Sequence, residues 1–214
     1  FRARYARFMT ALHGDMALYD PGLFNRRDKY DDTIGIVTRE LTRQRGRNKS
    51  IERHMDSRGR VPLGIAIEYL TLGTLSKLYD NTRDRHVVDG IASGFNLNSS
   101  KARSWFKTIA NVRNICAHFN PYVVRKQIPT TPLPMRECDY PSNSPFYIFP
   151  MLDRMLSSDD ARTFNDRNLN YSERMIADMA AETTEYSRLY IGTVVALNVP
   201  KRFLDTSEST WKGL

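Results

Sequence analysis

Cysteine is nearly absent, with only Cys116 and Cys138 among 214 residues. Two thiols make no disulfide framework, and a reducing compartment, the cytoplasm, is the plain expectation. Histidine is sparse as well. His13, His54, His86 and His118 are scattered without HxxxH spacing, and the cysteines form no CxxC. A structural metal or a zinc enzyme is therefore not indicated, and no cofactor is expected. No apolar run reaches the roughly 18 residues of a membrane span, so a soluble protein is expected. There is no Gly-rich phosphate loop, because "GIASGF" lacks both the spacing and a preceding strand. Runs of alternating polarity are missing too, which speaks against a sheet-built fold. No basic-then-apolar leader opens the chain. It begins at Phe1 with "FRARYARFMTALHG", which reads as the middle of a helix, and a preceding segment is expected.

What is present is a globular composition with a basic excess. Apolar residues make up 41%, including 11 Tyr, 10 Phe and 2 Trp, enough for a packed core. Lys and Arg number 32 against 24 acidic residues, a net charge of +8. The excess is concentrated in residues 41–60, where Arg43, Arg45, Arg47, Lys49, Arg53, Arg58 and Arg60 face only Glu52 and Asp56. Such a stretch suits a polyphosphate partner, since neutralising phosphates releases counterions. A solvated helix face is the plainer account of a charge run.

The periods along the chain are helical. Phe1 to His13 forms one helix, and Asp28 to Met55 a long basic one broken near Gly46 and Asn48. Val61 to Tyr79 opens with Pro62 and sets Ile65, Tyr69, Leu72, Leu75 and Leu78 at core spacing. Arg83 to Phe95 follows. Ser99 or Ser100 caps the next helix, Lys101 to Phe119, which Pro121 stops. Residues 120–145 read as a Pro-rich loop, with two further helices at Phe146 to Leu156 and Tyr171 to Leu197. The expectation is one all-α helical domain over residues 1–214.

The helix from Lys101 carries "VRNICAHFNP". At about 100° per residue, Trp105, Ile109, Val112, Cys116 and Phe119 share one stripe, which reads as core. Opposite lie Arg103, Lys107, Asn111, Asn114 and His118, a basic, amide-rich face. Arg113 flanks the apolar stripe, about 140° from His118. These types suit metal-free RNA cleavage, in which a 2′-hydroxyl attacks the neighbouring phosphate. His118 would carry protons, Arg113 would stabilise phosphate charge, and Asn114 would orient or hold a phosphate oxygen. The structural account is a His capping carbonyls and an Arg paired with a buried acid such as Glu68. Within one helix the pair converges only if Arg113 wraps around, if the helix distorts, or if two copies of the chain supply the groups.

"RNICAH" has the Arg-x4-His form of the HEPN superfamily. "GIAIEYLTLGTLSKLYDN" followed by "ARSWFKTIANVRNICAHFNP" resembles, more narrowly, the Abi-like (abortive infection) bacterial family, its AbiD/AbiF group. The blocks are Leu72 to Tyr79 and Trp105 to His118, with weaker similarity at "ALYDPGLFN" and "NVPKRF". The resemblance implies a HEPN-like helical bundle and a metal-independent endoribonuclease of a phage-defence or toxin–antitoxin system. It carries the catalytic roles to Arg113, Asn114 and His118, and matches Arg2 to a family Arg on the incoming helix. It also implies RNA partners, including a structured small RNA, and a homodimer or RNA-bridged assembly that joins two motif helices. Phe119 stands where the family often has a second His, which weighs against a two-His scheme. Besides an endoribonuclease, the residues admit a non-cleaving RNA-binding module. Arg43, Arg45, Arg47, Lys49, Arg53, Arg58, Arg60, Arg103 and Lys107 would then meet RNA through phosphate and shape.

Overall fold

The structure is a computed structural model that describes residues 1–118, 130–135, 138, 142–144 and 147–156. The expected helix Tyr171 to Leu197, Phe119 and Pro121 lie outside the described residues. The chain divides into two units, Phe1–Ala110 and Asn111–Leu214. Among the described residues it is all-α, as the periods predict: α1 Arg2–His13, α2 Arg27–Gln44, α3 Lys49–His54, α4 Leu63–Ala66, α5 Leu72–Asn81, α6 Arg85–Ser93, α7 Ser99–Ala117 and α8 Ile148–Met155.

The breaks follow side-chain chemistry. Gly46 takes a φ of 80°, left-handed backbone that suits glycine, and ends the long basic segment where the sequence places its break. Asn48 then starts α3 by accepting from the Ser50 amide at 2.9 Å and ties back to the Tyr69 hydroxyl. The single helix expected over Val61 to Tyr79 is two. Leu70 is extended, and its carbonyl accepts from the Arg2 guanidinium at 2.8 Å. Thr71 caps α5 by accepting from the Thr74 amide. Periodicity carries across that joint, so the pattern alone does not expose it. Of the predicted stripe, Leu75 and Leu78 are buried, while Ile65, Tyr69 and Leu72 are only half-buried. On α7 the cap is Asn98, which accepts from the Lys101 amide, rather than Ser99 or Ser100.

In the first unit α1 packs on α6 and α4, and α2 on α5. Gly90 allows the close approach of α1, because the Phe8 ring, with Cζ at 2.7 Å, occupies the place of a Cβ. Tyr5, Met9, Leu41, Leu63, Tyr79 and Trp105 are among the largest fully buried side chains.

A strap of polar contacts closes the 79–83 segment onto residues 23–26. Asn81, 4% exposed, accepts from the Arg26 amide and donates to the Arg26 carbonyl, both at 2.9 Å. The Asn25 side chain donates to the Thr82 carbonyl at 3.0 Å, and Phe24 pairs with Thr82 in an antiparallel bridge. The Thr82 hydroxyl donates to the Leu78 carbonyl and accepts from the Tyr5 phenol. Burial pushes the Tyr5 phenol up, so it remains a donor.

Asp84 joins α1 to α6. It caps α6 by accepting from the His86 amide and meets His13 Nε2 at 2.8 Å. Burial works against its ionisation, but the His86 amide, His13 and the Val87 amide outweigh it and hold the carboxyl below its usual range. A depressed carboxylate stabilises the fold above its unfolded pKa of about 4, and that contribution is lost as pH falls through the folded value. Asp84→Ala is expected to cost about 1 kcal/mol at neutral pH and to flatten the acid limb of stability. Urea melts of both proteins from neutral to acid pH would check this; parallel acid limbs would contradict it.

Candidate functional site

Helix α7 ends in the Arg-x4-His segment. Its last turn stays helical, since the His118 amide donates to the Asn114 carbonyl at 3.1 Å. Arg113, Asn114, Cys116, Ala117 and His118 are all exposed, and only Ile115 is half-buried. The exposed Cys116 corrects the core stripe read from the sequence. Ala102, Trp105, Phe106 and Ala110 on the same helix are buried, together with Thr108. The apolar period continues past Val112, but burial does not.

The polar residues of the predicted face have different surroundings. Arg113 Nη1 donates to Asn114 Oδ1 at 3.2 Å, so the guanidinium reaches its neighbour's amide. The His118 ring has no hydrogen bond to either side chain, nor to any other described residue. Asn111 donates from Nδ2 to the Thr130 hydroxyl. Lys107 is exposed. The Arg103 guanidinium donates to the carbonyls of Tyr79, Asp80 and Thr82 and stacks over Tyr79, so it caps the end of α5. The cation that charge alone assigns to a phosphate thus has an intramolecular set of acceptors.

The 41–60 region divides in the same way. Arg43 pairs with Glu40 at 3.3 Å across one helical turn. Arg60 pairs with Asp56 at 2.8 Å and stacks over Tyr19. Asp56 also accepts from the Arg58 and Arg60 amides and closes a tight turn through Gly59, whose φ is 73°. The Arg60 amide above all, with the Arg60 guanidinium and the Arg58 amide, holds the Asp56 carboxyl below its usual range. Arg45, Arg47, Lys49, Arg53 and Arg58 are exposed and have no ion pair among the described residues. By contrast Arg26, Arg27 and Lys29, at the start of α2, sit on Asp28, Asp31 and Asp80. Within the 41–60 region the cations without an ion pair therefore lie between residues 45 and 58, on the turn after α2, on α3 and on the following turn.

A cleft of about 370 Å³ opens in this stretch, lined by Arg45, Glu52, Met55, Asp56, Ser57 and Gly59. Reading by charge passes over Glu52 and Met55. The one available signal is an acid placed inside a basic run. Among the described residues no group of three or more His, Cys, Asp or Glu side chains could hold a metal, and no helix is long and apolar enough to cross a membrane.

A model of the family described as Abi-like protein matches residues 1–122, more than half of the 214 residues and inclusive of the Arg113–His118 segment. No curated protein and no solved structure matches the chain.

Proposed function

The chain belongs to the Abi-like protein family, and from that premise we propose that it is a metal-independent endoribonuclease acting in abortive infection, a phage-defence role. The observation that carries the proposal is the exposed last turn of α7, which presents Arg113, Asn114 and His118 to solvent within the family-matched segment. In the proposed reaction the 2′-oxygen of one nucleotide bonds to the adjacent phosphorus and the bond from phosphorus to the 5′-oxygen breaks. The 2′-hydroxyl proton leaves to a base, and the departing 5′-oxygen gains one. His118 carries one of these protons. Arg113 stabilises the charge that gathers on the phosphoryl oxygens, with its fork oriented by the Asn114 amide. Products are a 2′,3′-cyclic phosphate and a 5′-hydroxyl. The roughly 140° between Arg113 and His118 on one helix favours a site built from two copies of the chain, in which the partner's His118 serves the second proton.

The test is cleavage of labelled single-stranded and hairpin RNA in EDTA, with product ends read by mass. Cyclic-phosphate or 3′-phosphate ends support the reading. RNA left intact by a protein that binds it tightly would favour the second reading, a non-cleaving module for a structured RNA. That alternative is supported by the uncompensated residues Arg45, Arg47, Lys49, Arg53 and Arg58.

Both readings make the same statement about binding. Replacing Arg47, Lys49 or Arg53 by Gln is expected to weaken RNA binding and to flatten the dependence of log K on log salt by about 0.7 per lost contact on single-stranded RNA. Arg60→Gln, which removes a cation already held by Asp56, should leave that slope unchanged. Wild-type slopes for all four variants would remove the basic run from the interface.

A further inference from the structure

We infer that the cleft between the end of α2 and the turn after α3 is a binding site for an unpaired guanine base of RNA, read by Arg45 and Glu52 over Met55. The inference rests on the proposed RNA interaction and adds a base-reading position to it. The cleft holds about 370 Å³, at the lower end of the roughly 300–1,000 Å³ of small-ligand sites. Its lining comes from the same basic stretch of chain as Arg47, Lys49 and Arg53, all three exposed.

The lining selects among bases. Arg45 and Glu52 line the same cleft, are both exposed, and form no ion pair with each other or with any other described residue. An Arg and a Glu that line one cleft without pairing fit a ligand that places acceptors before the first and donors before the second. Guanine does both: O6 and N7 accept from a guanidinium fork, while N1–H and the 2-amino group donate to a carboxylate. Adenine offers no acceptor pair to the fork, uracil only one donor, and cytosine a single donor group, its 4-amino, where guanine offers two side by side. The second carboxylate in the cleft, Asp56, is already engaged by the Arg58 and Arg60 amides and the Arg60 guanidinium, so Glu52 is the one available to a ligand. Met55 is half-buried and gives the base face a polarisable apolar contact. Gly59, at a φ of 73°, forms the turn that contributes to the lining.

The experiment measures fluorescence anisotropy of a labelled RNA hairpin whose loop is uridine except for one central nucleotide. That nucleotide is guanosine, inosine, adenosine or an abasic residue. Wild-type protein is expected to bind the guanosine loop about tenfold tighter than the adenosine or abasic loop, with inosine between, since it lacks the 2-amino donor. Glu52→Gln should bring guanosine down to inosine without changing the salt slope, and Arg45→Gln should erase the preference altogether. Salt-sensitive wild-type binding that is equal for all four loops would overturn the base site and leave the RNA reading intact. Binding with neither salt nor base dependence would overturn both. A guanosine preference that survives Glu52→Gln would overturn the assignment of Glu52. Free GMP binding as tightly as the guanosine hairpin would make the ligand a free nucleotide and overturn the placement in RNA.

Discussion

Replacing His118 by Ala should lower RNA cleavage by about 10²- to 10⁴-fold, the usual range for loss of a positioned proton carrier, while RNA affinity stays within a small factor of wild type. The split follows from where the residue sits. His118 is exposed on the last turn of α7 and has no side-chain hydrogen bond among the described residues, so its removal leaves no group unpaired there. Its amide bond to Asn114 is backbone and survives the change. A loss of folding stability is thus not expected, and a thermal melt of His118→Ala should overlay that of wild type. Arg113→Ala should also suppress cleavage, and Arg113→Lys should recover little, because an ammonium does not reproduce the planar fork. If His118→Ala cleaves at the wild-type rate in EDTA, the α7 terminus is not the reacting centre. If both proteins bind and neither cleaves, the non-cleaving reading replaces the nuclease.

The parts legible in sequence were those where one residue type decides the outcome. Gly46 and Asn48 mark the break between α2 and α3, and both perform the expected task. The joint at Leu70 and Thr71 was hidden because its determinants are not local: the Leu70 carbonyl is taken by Arg2, 68 residues away in the chain. Charge counting located the basic run but could not sort it. Arg60 and Arg58 differ by two positions, yet Asp56 engages the guanidinium of the first and only the amide of the second. Arg103 is the same case over a longer span, a cation by sequence and a helix cap by geometry. Cys116 shows the limit of periodicity, since a repeat records which residues share a side and not whether anything covers them. The triplet Arg113, Asn114 and His118 was legible as residue types suited to RNA cleavage and gained weight from the resemblance, and the geometry adds one contact among them, Arg113 to Asn114.

Asn81→Ala is expected to cost the fold about 1–3 kcal/mol, a sizeable share of the roughly 5–15 kcal/mol available to a domain. Asn81 ends the "GIAIEYLTLGTLSKLYDN" block that resembles the Abi-like family, and its surroundings give that block a folding role. The side chain is buried, satisfies the amide of Arg26 and shares its carbonyl with the Tyr30 amide, just before α2 begins. Alanine removes the acceptor of the Arg26 amide, and a part-buried backbone donor left unpaired costs about 1–3 kcal/mol, whereas the Arg26 carbonyl keeps the Tyr30 amide at 3.0 Å. The neighbouring contacts cannot substitute, because Asn25 is committed to the carbonyls of Asn81 and Thr82. Asn81→Asp keeps the acceptor for the Arg26 amide but turns the other oxygen toward the Arg26 carbonyl, so it should be no better than alanine at neutral pH and should recover as the carboxyl is protonated. Urea unfolding followed by far-UV circular dichroism reads both changes. A loss below about 1 kcal/mol for Asn81→Ala would mean that water replaces the amide and that the strap does not hold α2 to α5. Cleavage per folded molecule should be unchanged in either variant, which separates this conserving of the fold from the chemistry proposed for His118.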